Sequence, residues 1–230
     1  MSVLFDLAQF GLYLFFILLP ILVLYIAYLI LTKAFKDMGF SSVEAIIIIF
    51  VSFIFGFDII LFGFNISNIY LFSYENWLIG INTGGAIIPI LLSIYLTRKN
   101  KIPLKKIGFG ILIVSVITFF VTSPVGGEGI VSPFPYWLLP AIFASLASIF
   151  LSWKIFQQAA PLAYISGTIG VLIGADFLHL PELLNIQIEK STFAVIGGAN
   201  VFDMVFITGI LAVIVDGILM YKQKSPSNNV

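Results

Sequence analysis

The stretch VIGGANVFDMVFITGIL (Val195–Leu211) lies in an apolar run long enough to cross a bilayer, yet it carries a carboxylate, Asp203. An aspartate at mid-membrane costs about 3 kcal/mol on insertion scales, so it needs a partner or a polar cavity. The Gly197-Gly198 pair just before it lowers helix propensity by about 1 kcal/mol per residue. Two readings of the stretch follow. Either the glycines allow close helix packing, or the helix begins only after them, with Asn200 as N-cap and Asp203 near its positive end.

The rest of the chain favours a membrane setting. Of 230 residues, 60% are hydrophobic and only 10% charged, and the mean hydropathy is +1.14. Soluble domains carry about 25% charged residues. Apolar runs of roughly 20 residues recur throughout. The expected fold is an all-α polytopic bundle of seven transmembrane helices, at about 9–32, 42–63, 80–97, 107–123, 134–153, 158–180 and 195–221. Residues 1–221 would form one membrane domain, and 222–230 a polar cytoplasmic tail. The start lacks the basic region and cleavage site of a signal peptide, so the first run is expected to remain as a helix. Ser41 to Glu44 forms a capping box ahead of the second. Lys33, Lys36, Arg98, Lys99, Lys101, Lys105, Lys106, Lys154, Lys222 and Lys224 fall in alternate loops. The positive-inside rule then places the N-terminus outside and the C-terminus in the cytoplasm of a multi-pass cell-membrane protein.

Spans two and three are similar to spans six and seven. Gly56-Phe57-Asp58 matches Gly174-Ala175-Asp176, and Gly84-Gly85-Ala86 matches Gly197-Gly198-Ala199. A duplication would give a parallel repeat about an axis along the membrane normal. Pro89, four residues after Gly85, favours interruption of span three. Ser166, Gly170 and Gly174 form a small-residue seam suited to helix packing.

Four aspartates, Asp58, Asp176, Asp203 and Asp216, fall within the spans. Asp216 is read as snorkelling to the cytoplasmic interface or pairing with a lysine. Asp176 has only His179 as a titratable neighbour within helical reach. Asp176 and Asp203 are expected at similar depth on adjacent antiparallel helices, one carboxyl protonated and one ionised, the state that activates water and protonates a leaving group.

His179 is read as an interfacial histidine, with a metal ligand beside Asp176 as the alternative. Glu128, in the Gly/Pro-rich loop Ser123–Trp137, is read as part of a solvated turn, with closure over the aspartate site as the alternative. Asn65–Gly80 is expected to lie on the outer surface, anchored by its aromatics.

The segments NTGGAIIPILLSIYL (Asn82–Leu96), GTIGVLIGADFLHL (Gly167–Leu180) and IGGANVFDMVFITGILAV (Ile196–Val213) resemble a family of prokaryotic membrane proteins classed as a domain of unknown function. The resemblance runs over about residues 45–221. It implies a helix bundle with Asp176 and Asp203 as family features, and no established activity. A more distant likeness is to intramembrane aspartyl proteases of the presenilin and signal peptide peptidase type. Phe202-Asp203 is similar to their Tyr-Asp, and Gly174-Ala175-Asp176 in part to their Gly-x-Gly-Asp, in the reverse order.

Three functions remain open. The first is an intramembrane aspartyl hydrolase in which Asp176 is general acid and Asp203 general base, with Gly197, Gly198 and Asn200 shaping the cleft. The second is a small-solute or cation/proton-coupled transporter or channel, with breaks at Gly84, Gly85, Pro89 and at Gly197, Gly198. Asp58, Asp176 and Asp203 would then be ion sites, and Asn82, Thr83 and Asn200 polar ligands. The third is a non-catalytic assembly subunit. No cofactor, no bound metal and no nucleic acid is expected. The partners are the lipid bilayer and either a membrane-embedded peptide or a small solute.

Overall fold

The computed structural model describes residues 2–198 and 204–224. It is a helical bundle with one small sheet at one end. Helix α1 (Ser2–Asp37) is apolar on every face, and over its most hydropathic window no residue is buried. It ends in a turn at Gly39, whose φ of +91° suits glycine. There the Phe40 N–H closes a wide loop on the Phe35 carbonyl, 3.0 Å, as glycine-ended helices commonly do. Lys99 fastens this turn. Its ammonium donates to the Gly39 carbonyl at 2.7 Å and sits over the rings of Phe40 and Tyr95.

Helix α2 (Ser42–Ile54) starts with the expected capping box. Ser41 Oγ accepts from the Glu44 N–H, and the Glu44 carboxylate accepts from the Ser41 N–H at 2.7 Å. The chain then departs from the expected course of span two, read as 42–63. Span two stops at Ile54, and a hairpin follows, β1 (Ile60–Leu61) against β2 (Phe64–Asn65), turned by Phe62 and Gly63 at positive φ. The predicted surface segment is instead two strands, β3 (Asn68–Tyr74) and β4 (Trp77–Asn82), paired antiparallel. Trp77 and Ile79 are buried on one face of β4, and Gly80 and Asn82 on the other.

A π-helical turn, Thr83–Ile87, leads from β4 into α3 (Ile88–Lys99). Helix α4 (Leu104–Val121) follows, then a hairpin of β5 (Ser123–Val125) and β6 (Gly129–Val131). Next come α5 (Leu139–Leu151) and α6 (Ala159–Val171). A second π-helical stretch, Leu172–Phe177, joins α6 to α7 (Leu178–Leu184). Strand β7 (Thr192–Ile196) pairs parallel with β4, from Trp77 beside Thr192 to Ile81 beside Ile196. Helix α8 (Met204–Lys224) closes the bundle.

Two further expectations are corrected here. Val195 and Ile196, read as the start of span seven, belong to the strand Thr192–Ile196. Span six continues past Pro181 to Leu184, eight residues beyond Asp176 and so about 12 Å along the axis. The fold is therefore a helical membrane bundle carrying a three-stranded sheet in the order β3-β4-β7 and two short hairpins, not purely α. Three helical stretches, Gln9–Asp37, Leu104–Val121 and Phe156–Leu184, are long and apolar enough to cross a membrane. Shorter apolar helices stand beside them.

Helix α6 is the hub, with every residue buried except Ile169. The predicted small-residue seam packs on α4. Gly110 abuts Ser166, and a Cβ on Gly170 would meet Val114 Cβ at 2.5 Å. Gly174 sits against the Ser115 carbonyl. Close backbone approach of this kind is how membrane helices associate without a solvent-driven hydrophobic term.

Candidate active site

Asp176 is placed by its π-helical stretch. The wide turn aims the carboxylate away from the α4 seam toward the end of β7, where Oδ2 accepts from the Gly197 N–H at 2.7 Å. Gly197 and Gly198 adopt φ of +82° and +65°, so the chain leaves strand geometry there. This left-handed turn presents the amide, and a Cβ at either position would strain it. One partner of Asp176 is thus a backbone amide.

Asp176 lines an open cavity of about 260 Å3. One wall is the whole of β7 together with Gly198, and the floor is Trp77 and Ile79 of β4. Leu180 and Leu183 of α7 form a second wall. The turn Gly127–Gly129 and Ile130 stand opposite and bring in a second carboxylate, Glu128. In the sheet order, β7 has β4 on one side and, among the described residues, no strand on the other. Alternate backbone groups of an edge strand point outward and are able to pair with another extended chain. Glu128, read mainly as a solvated turn residue, is exposed and also faces the site.

Trp77 anchors the floor. It is 1% exposed, and its indole N–H donates to the Ile186 carbonyl at 3.0 Å. Asn76 donates to the Ile188 carbonyl at 2.8 Å, so the loop before β7 is tied to the β3–β4 turn.

Asn82, Gly84, Gly85 and Pro89 are not among the described residues lining this cavity. They work behind it. Asn82 caps the π turn, Oδ1 accepting from the Gly85 N–H at 2.6 Å and Nδ2 donating to Asn68 Oδ1 at 2.7 Å. The Asn68 amide in turn donates to Asp58 at 2.8 Å. Pro89 begins α3, where a missing N–H costs nothing. Gly85 packs so tightly against the Gly197 carbonyl that a side chain has no space. The two Gly-Gly elements seen as a repeat are therefore in backbone contact, each following one of the two parallel strands. The preceding Gly-x-Asp elements are not alike. Asp58 lies beyond the end of α2 in a turn, whereas Asp176 lies inside a helical stretch.

Asp58 accepts from the side-chain amides of Asn65 and Asn68, which hold its carboxyl below the usual carboxylate range. It organises a hairpin outside the cavity. His179 is buried within the protein. It is 4% exposed, stacked on Phe119, with Nε2 3.0 Å from the Phe119 carbonyl and Nδ1 2.8 Å from Glu182. Among the described residues no group of three side chains is arranged to hold a metal.

Asp203 and Asn200 lie outside the described residues. Asp216 does not snorkel. It is 2% exposed, its Oδ1 lies 3.1 Å from Ser148 Oγ, and it lines a second cavity of about 430 Å3 with Lys33, Asp37, Asn100 and Gln157.

No curated protein and no solved structure matches the chain, and the likeness to presenilin-type proteases gains no support. Residues 57–215, well over half the chain and including β4, β7, Asp176 and the cavity, match the model of a family described as a protein of unknown function, DUF1614. The chain belongs to that family, whose matched region contains the whole of the site.

Proposed function

We propose that this protein is a membrane-embedded aspartyl hydrolase acting on polypeptide. One observation carries the reading: Asp176, fixed by the Gly197 amide, opens on a cavity walled by an unpaired strand edge. An extended peptide laid against β7 would run toward that carboxyl. Asp203, next in sequence to Met204 at the described start of α8, would supply the second. In the step, Asp203 takes a proton from water, and the water oxygen bonds to the peptide carbonyl carbon. The C–N bond breaks as Asp176 gives its proton to the leaving nitrogen. The alternation of basic residues between loops supports seven passes with an outside N-terminus, which would put the cavity toward the outer leaflet. The apolar helices support a multi-pass cell-membrane location.

The test is cleavage of a membrane-helix reporter in proteoliposomes. Asp176→Asn and Asp203→Asn should each lower turnover roughly 10²–10⁴-fold, the usual share of general acid–base catalysis. Normal cleavage by either variant would overturn the reading.

A second reading, passage of a small solute or cation, is favoured by one specific observation. Asp216 gives α8 a buried carboxylate on a separate cavity near the start of α6, about 24 Å along the helical path from Asp176. On that reading, uptake into proteoliposomes responds to Asp216→Asn. Background uptake over a range of ions and pH would remove it.

A further inference from the structure

We infer that Glu128 selects the substrate, favouring an extended peptide that carries a basic residue beside its apolar stretch. This rests on the hydrolase reading above. The cavity has one open wall, β7, suited to accept a peptide strand through backbone hydrogen bonds, which carry no sequence information. Specificity must then come from side chains around the groove. Ile79, Ile130, Leu180 and Leu183 supply apolar surface. The acidic side chains are Asp176, protonated in the hydrolase reading, and Glu128, with no lysine or arginine among the described lining residues. A cationic side chain is the complement of that lining.

The two carboxylates are held differently. Asp176 is partly buried and bonded to Gly197, as suits a group at the reacting bond. Glu128 is exposed at the tip of the β5–β6 hairpin, and its N–H closes the turn on the Val125 carbonyl at 3.2 Å. Gly127 and Gly129 take positive φ on either side. Gly126 stands against Ile186, so a Cβ there would lie 3.1 Å from its methyl. The hairpin is therefore seated beside the loop that leads to β7, while the carboxylate keeps its freedom to meet a cation. Next to apolar walls and a membrane, that attraction is screened less than on an open surface.

The test uses the full chain in nanodiscs and a peptide series differing at one position, Lys, Gln or Glu, next to an apolar stretch. Binding is read on the Asp176→Asn protein, whose amide oxygen still accepts from Gly197, so that no peptide is consumed. The Lys peptide should bind roughly fivefold more tightly than the Gln peptide, as expected for one partly desolvated charge pair. Glu128→Gln should abolish the preference, and Glu128→Lys should reverse it toward the Glu peptide. Because Glu128 is exposed, neither change disturbs the fold. Equal binding of all three peptides, or a preference unchanged by Glu128→Gln, overturns the inference. A wild-type protein that shows the charge preference yet cleaves none of the peptides refutes the hydrolase reading alone.

Discussion

Gly85→Ala should leave little folded protein. A methyl at Gly85 would fall on the carbonyl oxygen of Gly197, a backbone atom that cannot rotate away. The ladder from Trp77–Thr192 to Ile81–Ile196 fixes one side of that contact, and the Asn82 cap fixes the other. Overpacking of a close-fitted site costs about 1–3 kcal/mol and more where backbone must move. Gly197→Ala should be as severe for two reasons. Its φ of +82° is unfavourable to alanine by about 1–2 kcal/mol, and its Cβ would come 2.5 Å from the Ala86 Cβ. A double-mutant experiment separates the causes. Ala86→Gly should partly rescue Gly197→Ala by removing the facing methyl. It should not rescue Gly85→Ala, whose obstruction is backbone. Monodisperse yield in detergent and thermal unfolding are the readouts, and near-wild-type behaviour of Gly85→Ala would refute the packing described.

Trp77→Ala should destabilise the site end by about 3–5 kcal/mol, the range for truncating a large buried aromatic. The side chain is the largest fully buried one in the protein and holds the Ile186 carbonyl at 3.0 Å. Its removal would merge the cavity with the space beneath the sheet and release the loop before β7. Trp77→Phe keeps most of the apolar volume and loses the N–H, so about 1–2 kcal/mol is expected. Hydrogen exchange should show the difference locally. In Trp77→Ala the amides of β4 and β7 should lose protection before those of α4 and α6. Uniform loss across the bundle would mean that the sheet is not a separately anchored unit.

What the sequence disclosed followed from the strength of each local signal. Ser41 and Glu44 announce a helix start through two reciprocal hydrogen bonds, and the structure has both. Ser166, Gly170 and Gly174 share a helix face, so their packing on α4 was readable from spacing alone. The sheet was not. In NIYLFSY and TFAVI nearly every residue is apolar or aromatic, so strand alternation leaves no polar face to see, and β7 adjoins a helix-length apolar run. Its partner β4 is more than a hundred residues away, beyond any local pattern. The site was half legible. Asp176 stood out as a carboxylate in an apolar helical stretch with no basic residue within helical reach. The answer, a peptide N–H at Gly197, has no residue signature beyond a glycine. Glu128 was visible as a carboxylate in a Gly-rich turn, but only the fold brings that turn to β7.

The parallel pairing of β4 with β7 also sets an order of assembly. Strand β4 is synthesised long before β7, and helices α3 to α7 lie between them in the chain. Until residues 192–196 emerge, β4 is itself a bare edge, paired only with β3. Because such long-range parallel contacts form slowly, the cavity wall and the Asp176–Gly197 bond belong to the last stage of biogenesis. A chain arrested before β7 would have its helical hub in place and no site, so the carboxylate is not built into a pocket until most of the bundle is in the membrane.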